Sequence, residues 1–292
     1  MIPEGIAHDP VDGVFYVGST WHRNIVRVDG ADDAQQEFFA GVDHGVWGIV
    51  GMRVDPERRL LWFASSHAGD GMPMIDMHPT FEGRTGLFAV DLETGALRHR
   101  TVLPRPGFLN DVVVARDGTV YVTDSAGDAV LRRTDGDDLE TFADLSEWGG
   151  ANGIDITPDE RFMFVAVGRG VVRVDMASGD PDPIARDTAI AGVIDGLYFR
   201  DGALIVVQPY EAGRYVTRLD LDGSLSTIVR EVPILEDHPL IDQPTTAAIV
   251  GPDLYVISNS HLQTFRRLYA AGDLEGAAGL TPPTILKVPT GS

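Results

Sequence analysis

Six copies of one short phrase recur along the chain, and in four of them the first residue is a candidate oxygen ligand. The phrases open on Glu4 (EGIAHDPVDG), Val50 (VGMRVDPERR), Asn110 (NDVVVARDG), Asn152 (NGIDITPDE), Asp195 (DGLYFRDG) and Thr246 (TAAIVGPD). In copies related by rotation about one axis, these first residues face one another, so two carboxylates and two carboxamides converge. An all-oxygen set of this kind suits a hard divalent cation, above all Ca2+, which takes six or more oxygen ligands; other divalent cations remain open. Zinc fits poorly, because no His stands in the ring and the chain has no cysteine. Taken singly, Asn-Asp, Asn-Gly and Asp-Gly are turn dipeptides whose side chains bond local backbone. Four in register weaken that simpler reading, since a buried carboxylate pair is costly with no cation between its members.

The elements that must position these residues are strands. After each phrase comes a β-branched or aromatic run: VFYVGS at 14–19, LLWFASS at 60–66, TVYVTDS at 119–125, FMFVAVG at 162–168, ALIVVQ at 203–208 and DLYVISNS at 253–260. A third strand follows in every copy, from NIVRVDG at 24–30 to TILKVPT at 284–290. The phrases recur roughly every 40 to 60 residues, in the range of four-stranded propeller blades. The expectation is therefore an all-β fold, one six-bladed β-propeller domain over 1–292 with repeats starting near 4, 50, 110, 152, 195 and 246. A pair of β-sandwiches would not explain six matched units, and no 10- to 15-residue amphipathic helical pattern is read between them. The sixth unit ends at its third strand, so that blade has three strands or lacks a piece from before Met1. Its open edge allows a weak edge-strand dimer, although a monomer is the main expectation.

If the first strand of each blade leaves the channel mouth, the second returns to it and delivers Trp21, His22, Ser66, His67, Asp124, Gln208, Tyr210, Asn259 and His261 there. Two long insertions, 68–85 and 262–281, fall at the same end and are candidate lids. His67 and His22 are candidate general bases, because an imidazole pKa of about 6.5 suits proton transfer near neutrality. Gln208, His261 and Asn110 are candidate substrate contacts, and Arg105 could hold a substrate carboxylate or hydroxyl. Trp47, Met72, Met74 and Phe108 either line the pocket wall or pack between blades. Asp135 to Asp138 (DGDD) lacks the later ligands of a calcium loop and reads as a hairpin turn. The sequence contains no GxSxG, HExxH, GxxxxGK[ST] or GxGxxG motif, which argues against serine hydrolases of that type, zincins and nucleotide enzymes.

Charge narrows the partners. Against 23 Lys+Arg stand 44 Asp+Glu, a formal net charge of −21, which repels nucleic acid and anionic lipid and draws cations toward clefts. Lys287 is the only lysine, a bias that fits a GC-rich genome or a salty habitat. No apolar stretch long enough to span a membrane occurs, so a soluble protein acting on a small molecule is expected.

The phrases also resemble the SMP-30/gluconolactonase/luciferin-regenerating enzyme-like family. The resemblance rests on PEGIAHDPVDGVFYVGS at 3–19, NDVVVARDGTVYVTDS at 110–125, NGIDITPDERFMFVAV at 152–167 and IDGLYFRDGALIVVQ at 194–208, and spans nearly all of the chain. It implies a six-bladed propeller with Ca2+ at the channel mouth, bound by Glu4, Asn152 and Asp195. It further implies Asn110 beside the metal as ligand or substrate contact, and Asp195 as general base. The implied activity is that of a metal-dependent, gluconolactonase-like hydrolase of a lactone or related ester. A metal-dependent cyclase or isomerase, or a non-enzymatic binding platform with a structural metal, are the alternatives. QPTTAAIVGPDLYVISNS at 243–260 resembles a bacterial branch without an assigned substrate. Members of that branch resemble exported proteins, so a trimmed N-terminus and a periplasmic or secreted location are expected, with a cytoplasmic one as the alternative.

Overall fold

The computed structural model describes residues 1–67, 84–133, 137–168, 170–186, 193–209 and 214–290. Almost all of the 68–85 insertion, with Met72 and Met74, lies outside the described residues, as do Tyr210 and part of the 135–138 turn. The described chain folds into six sheets whose first strands are Pro3–Asp9, Gly48–Asp55, Leu109–Val114, Ile154–Ile156, Leu197–Arg200 and Ala247–Val250. Neighbouring first strands touch one another around a central channel, so every repeated phrase forms the inner edge of a blade. The architecture is the expected six-bladed β-propeller.

Burial explains the strand sequences. Second strands such as Val14–Ser19 and Val120–Asp124 are buried along their whole length, packed on both faces by adjacent blades, and read as unbroken apolar runs. Outer strands such as Gln35–Ala40 meet solvent and carry the polar residues. In the hairpins an Asp side chain accepts from backbone two residues on, as Asp9 Oδ1 does from Val11 N at 2.9 Å and Asp175 Oδ1 from Ala177 N at 2.9 Å. The fifth sheet gains Ala185–Arg186, paired in parallel with Thr227–Glu236. The sixth has three strands among the described residues, Ala247–Val250, Asp253–Ile257 and Ile285–Pro289.

A backbone irregularity sits where the phrases begin. Pro3 pairs with Ser19 and Ile6 with Val17, so three steps on the inner strand match two on its neighbour. The same offset separates Ile49–Ser65 from Met52–Phe63, and Leu109–Asp124 from Val112–Val122. A one-residue bulge therefore falls on Glu4-Gly5, Val50-Gly51 and Asn110-Asp111, breaking the alternation of the strand and re-aiming the first residue of the phrase. Glycine follows because the inner strands close on one another there: a Cβ on Gly5 would lie 1.9 Å from Val50 O, and one on Gly153 2.4 Å from Asp195 O.

The 262–281 insertion is helical, with α1 at Leu262–Ala270 and α2 at Leu274–Ala278. At nine residues α1 is shorter than the window in which an amphipathic pattern was sought, and its apolar stripe reduces to Leu262, Phe265, Leu268 and Tyr269. Asp273 caps α2, its Oδ1 accepting from Gly276 N at 2.8 Å.

The ring closes between the sixth and first blades through side chains. Ile257 packs in a cluster with Ile6, Phe15, Val17 and Ala248, Phe15 lies 4.7 Å from Tyr255 between ring centres, and Thr245 Oγ1 donates to Glu4 O at 3.0 Å. Ile257→Ala should therefore destabilise the protein by about 2–5 kcal/mol in a denaturant titration, the range for emptying a core site. Val229→Ala, on a side chain that is 61% exposed, should stay within about 0.5 kcal/mol of the parent.

Candidate metal centre at the channel mouth

Glu4, Asp195 and a third carboxylate, Asp111, lie close enough for their charges to interact. The Asn152 side chain hydrogen-bonds to the Asp195 carboxylate, and both residues stay partly open to solvent. Glu4 is buried, with Oε2 sealed from water and without a hydrogen-bond partner. Asn110 occupies the matching place in the third blade, where its Nδ2 donates to Ser125 Oγ at 3.0 Å. Val50, the apolar member of the ring, is packed into the core. In the sixth blade, the Thr246 hydroxyl is turned onto Glu4 O and ties that strand to the first.

Electrostatics at this point is unfavourable for anions alone. Burial, with Asp195 and Asp111 beside it, raises the Glu4 carboxyl well above the usual carboxylate range. Burial pushes Asp195 up to about 7, the Asn152 hydrogen bond opposing and the Asp111 charge adding to the rise. Burial likewise lifts Asp111 to about 6, against the pull of Arg53. A dry carboxylate oxygen with no donor, set among like charges, is the environment that a divalent cation relieves. The donors are all oxygen, and they fit a hard ion such as Ca2+. Among the described residues no three His, Asp or Glu side chains form a ready-made cation cage. The third carboxylate is partly committed, since Asp111 Oδ1 accepts from Val112 N at 2.8 Å and Oδ2 from Ile154 N at 3.3 Å.

Deeper in the channel lies a polar layer that repeat reading did not single out. Arg53 Nη2 reaches Asp155 Oδ1 at 3.4 Å, Asp155 Oδ2 accepts from Phe199 N at 2.9 Å, and Tyr198 Oη accepts from Ala247 N at 2.6 Å. Asp111, Asp155 and Tyr198 thus accept from inner-strand N–H groups of a neighbouring blade, while Arg53 donates to Val112 O at 3.3 Å and Ile154 O at 3.4 Å. The signal was present in the phrases: Asp111 stands where four other copies have glycine, and Arg53, Asp155 and Tyr198 share the fourth position. Gly51 makes the room, because a Cβ there would lie 2.4 Å from Asp111 Oδ1.

The other sequence candidates take different stations. His22 is exposed in the loop after the second strand of blade one, its ring pKa lowered by partial burial. His67 is buried, and its backbone N donates to Arg84 O at 2.9 Å. Arg105 forms an ion pair with the buried Asp124, Nη1 to Oδ2 2.9 Å, while Asp124 Oδ1 accepts from Phe108 N and Gly127 N. Gln208 Oε1 accepts from Thr217 Oγ1 at 3.0 Å within blade five. His261 is buried, with both ring nitrogens engaged: Nδ1 lies 3.3 Å from Asp242 Oδ2, and Nε2 lies 3.1 Å from both Asn259 Nδ2 and Thr281 Oγ1. Trp47 is core, and Phe108 packs against the same cluster.

No family model and no curated protein matches the sequence. Among solved structures, the Malassezia sympodialis allergen Mala s 1 is similar at TM-score 0.70 and 15% identity, over 98% of this chain and 92% of that one. The calcium-binding protein regucalcin from Agrobacterium tumefaciens is similar at TM-score 0.65 and 16% identity, over 98% and 90%. A gluconolactonase from Xanthomonas campestris is similar at 0.63 and 16%, over 88% and 83%. The chain has the fold of the SMP-30/gluconolactonase propellers. An aldose sugar dehydrogenase and a virginiamycin B lyase share it at comparable identity, so likeness at this level shows the fold and leaves the reaction to the site.

A pH prediction follows from the raised carboxyls. They ionise less readily in the fold than in the unfolded chain, so the cation-free protein should lose stability as pH rises from about 4 toward about 7. Added Ca2+ should then raise the melting temperature more at pH 8 than at pH 5, because protons compete for the same oxygens. Glu4→Gln should raise the cation-free melting temperature at pH 8 and erase the Ca2+ response; an unchanged response in differential scanning fluorimetry would remove Glu4 from the site.

Proposed function

We propose that the protein is a divalent-cation-dependent hydrolase of a lactone or related ester, with Ca2+ as the expected ion. One observation carries this reading: the dry, unpartnered Glu4 Oε2 beside Asp195 and Asp111. The similar calcium-binding protein and gluconolactonase support it.

Glu4, Asn152 and Asp195 would hold the ion, with Asn110 completing the set or meeting substrate. When bound, the ion supplies Lewis-acid polarisation of the substrate carbonyl and a counter-charge for the oxyanion. Asp195, partly open to the mouth, takes the proton of the attacking water, and Asn152 fixes the orientation of its carboxylate through their hydrogen bond. Beside a divalent charge that carboxyl ionises at lower pH, which keeps it a base at neutrality. His67 and His22 are the alternative proton acceptors at this face. Arg105, paired with Asp124, and the buried Gln208, bonded to Thr217, are the proposed substrate contacts. His261 contributes through the groups that it holds.

The test is hydrolysis of aldonolactones and aryl esters by the purified protein, with Ca2+ and with chelator. Turnover should require the cation, and Asp195→Asn should lower kcat/KM by about 10²- to 10⁴-fold, the usual weight of a general base. Activity that persists in both Asp195→Ala and Asn152→Ala proteins would overturn this site. A cation response in stability, with no substrate of any class turned over, would favour a binding platform.

A further inference from the structure

Beside the mouth lies a cavity of about 470 Å³ that the metal centre does not use. Its inner wall is the start of the first blade: Ile2, two residues before Glu4, and the loop residues Trp21 and His22. Helices α1 and α2 form the outer wall with Phe265, Tyr269, Leu274 and Ala277. Trp21 meets Phe265 at 4.8 Å and Tyr269 at 5.2 Å between ring centres, both edge-on, so the first blade and the lid are joined by an aromatic corner. Packing leaves the cavity open at a rim where Leu274 is 63% exposed, a large apolar side chain left facing it. A concave site of this size with apolar walls is what a small organic ligand fills.

Its polar point is set with care. Asn259 Oδ1 accepts from Thr284 N, while its Nδ2 donates to Pro282 O at 3.1 Å and faces His261 Nε2 at 3.1 Å. His261 Nε2 is therefore an acceptor, its proton sits on Nδ1 toward Asp242, and the Thr281 hydroxyl, at 3.1 Å, shares the single Nε2 lone pair with Asn259 Nδ2 as a second donor. Thr281 lines the cavity and is exposed, so its oxygen lone pairs are left for a ligand N–H or O–H. His261 itself, at φ 55 in the left-handed region, is held there by these bonds as it starts α1. His261 is thus a positioning residue for Thr281.

We propose that this cavity binds an apolar acyl or aryl substituent of the substrate, with Thr281 accepting a hydrogen bond from a donor at its base. As a statement of substrate class it rests on the hydrolase reading above, and it assigns that hydrolase to esters or lactones with an apolar arm in preference to polyhydroxylated sugar lactones. As a binding site the cavity stands without that reading.

Two experiments separate the claims. Calorimetric titration with octanamide and acetamide reads binding without turnover. Octanamide should bind more tightly by up to about fourfold for each buried methylene, and Leu274→Asp or Ala277→Trp should remove that advantage. The p-nitrophenyl esters from acetate to octanoate should show kcat/KM rising with chain length, with the rise lost in both variants while acetate turnover stays unchanged. His261→Ala should weaken octanamide more than Leu274→Asp weakens acetamide, and restoring the acceptor with His261→Gln should recover part of the loss. Chain-length-dependent binding without any turnover would support the cavity and defeat the hydrolase. Cation-dependent turnover with equal affinity for the two amides, or with an advantage untouched by both variants, would defeat the cavity and leave the hydrolase standing.

Discussion

The structure turns on the mutual repulsion of buried carboxylates at the propeller axis. Glu4, Asp195 and Asp111 are brought within one another's fields where little water reaches to screen them, and burial alone already disfavours their charged forms. A fold would shed such groups unless something offset the cost. Asp111 has an evident structural use in capping Ile154 N of the next blade, and Arg53 lies near it. Glu4 has no such use for its side chain, whose Oε2 faces no donor. That contrast separates a carboxylate that builds the channel from one with no such structural partner, the proposed cation ligand Glu4.

Backbone geometry sets up this constraint. Six inner strands converging on one axis leave edge N–H and C=O groups that no ladder can pair, and the chain answers with side chains reaching from blade to blade. Asp111, Asp155 and Tyr198 each cap an N–H of the following blade, and Thr245 and Thr246 bond Glu4 O across the seam. One-residue bulges at the starts of the inner strands then turn the first phrase residues where an unbroken strand would continue its alternation. Glycine at the next position lets inner-strand backbones close on one another, as at Gly5, Gly51 and Gly153, where a Cβ would fall within 2.5 Å of a neighbouring blade's backbone.

Much of this was legible in the residues. Six phrases in register gave the blades, and Glu4, Asn152 and Asp195 stand together because rotation about one axis leaves them no other place. What could not be read is instructive in physical terms. Asp111 looked like half of a turn dipeptide, since its role depends on the glycine of the preceding blade making room, a relation between residues 60 apart in sequence. Nothing local marks His261 as a buried hub, because its partners Asp242 and Thr281 come from both flanks of the sixth blade. The lid helices escaped because a nine-residue helix has too few turns to show its period, and tertiary contact with Trp21 supplies what propensity does not.

The central claim is that a divalent cation neutralises the Glu4–Asp195 pair. A crystal structure of the protein grown with Ca2+ and recorded near an anomalous edge of a substituting lanthanide tests it most directly. The account predicts one anomalous peak on the channel axis, with Ca2+ oxygen distances of about 2.3–2.6 Å to Glu4, Asn152 and Asp195. An axis without a peak, with Glu4 Oε2 hydrogen-bonded to a protein group or to water, would contradict it.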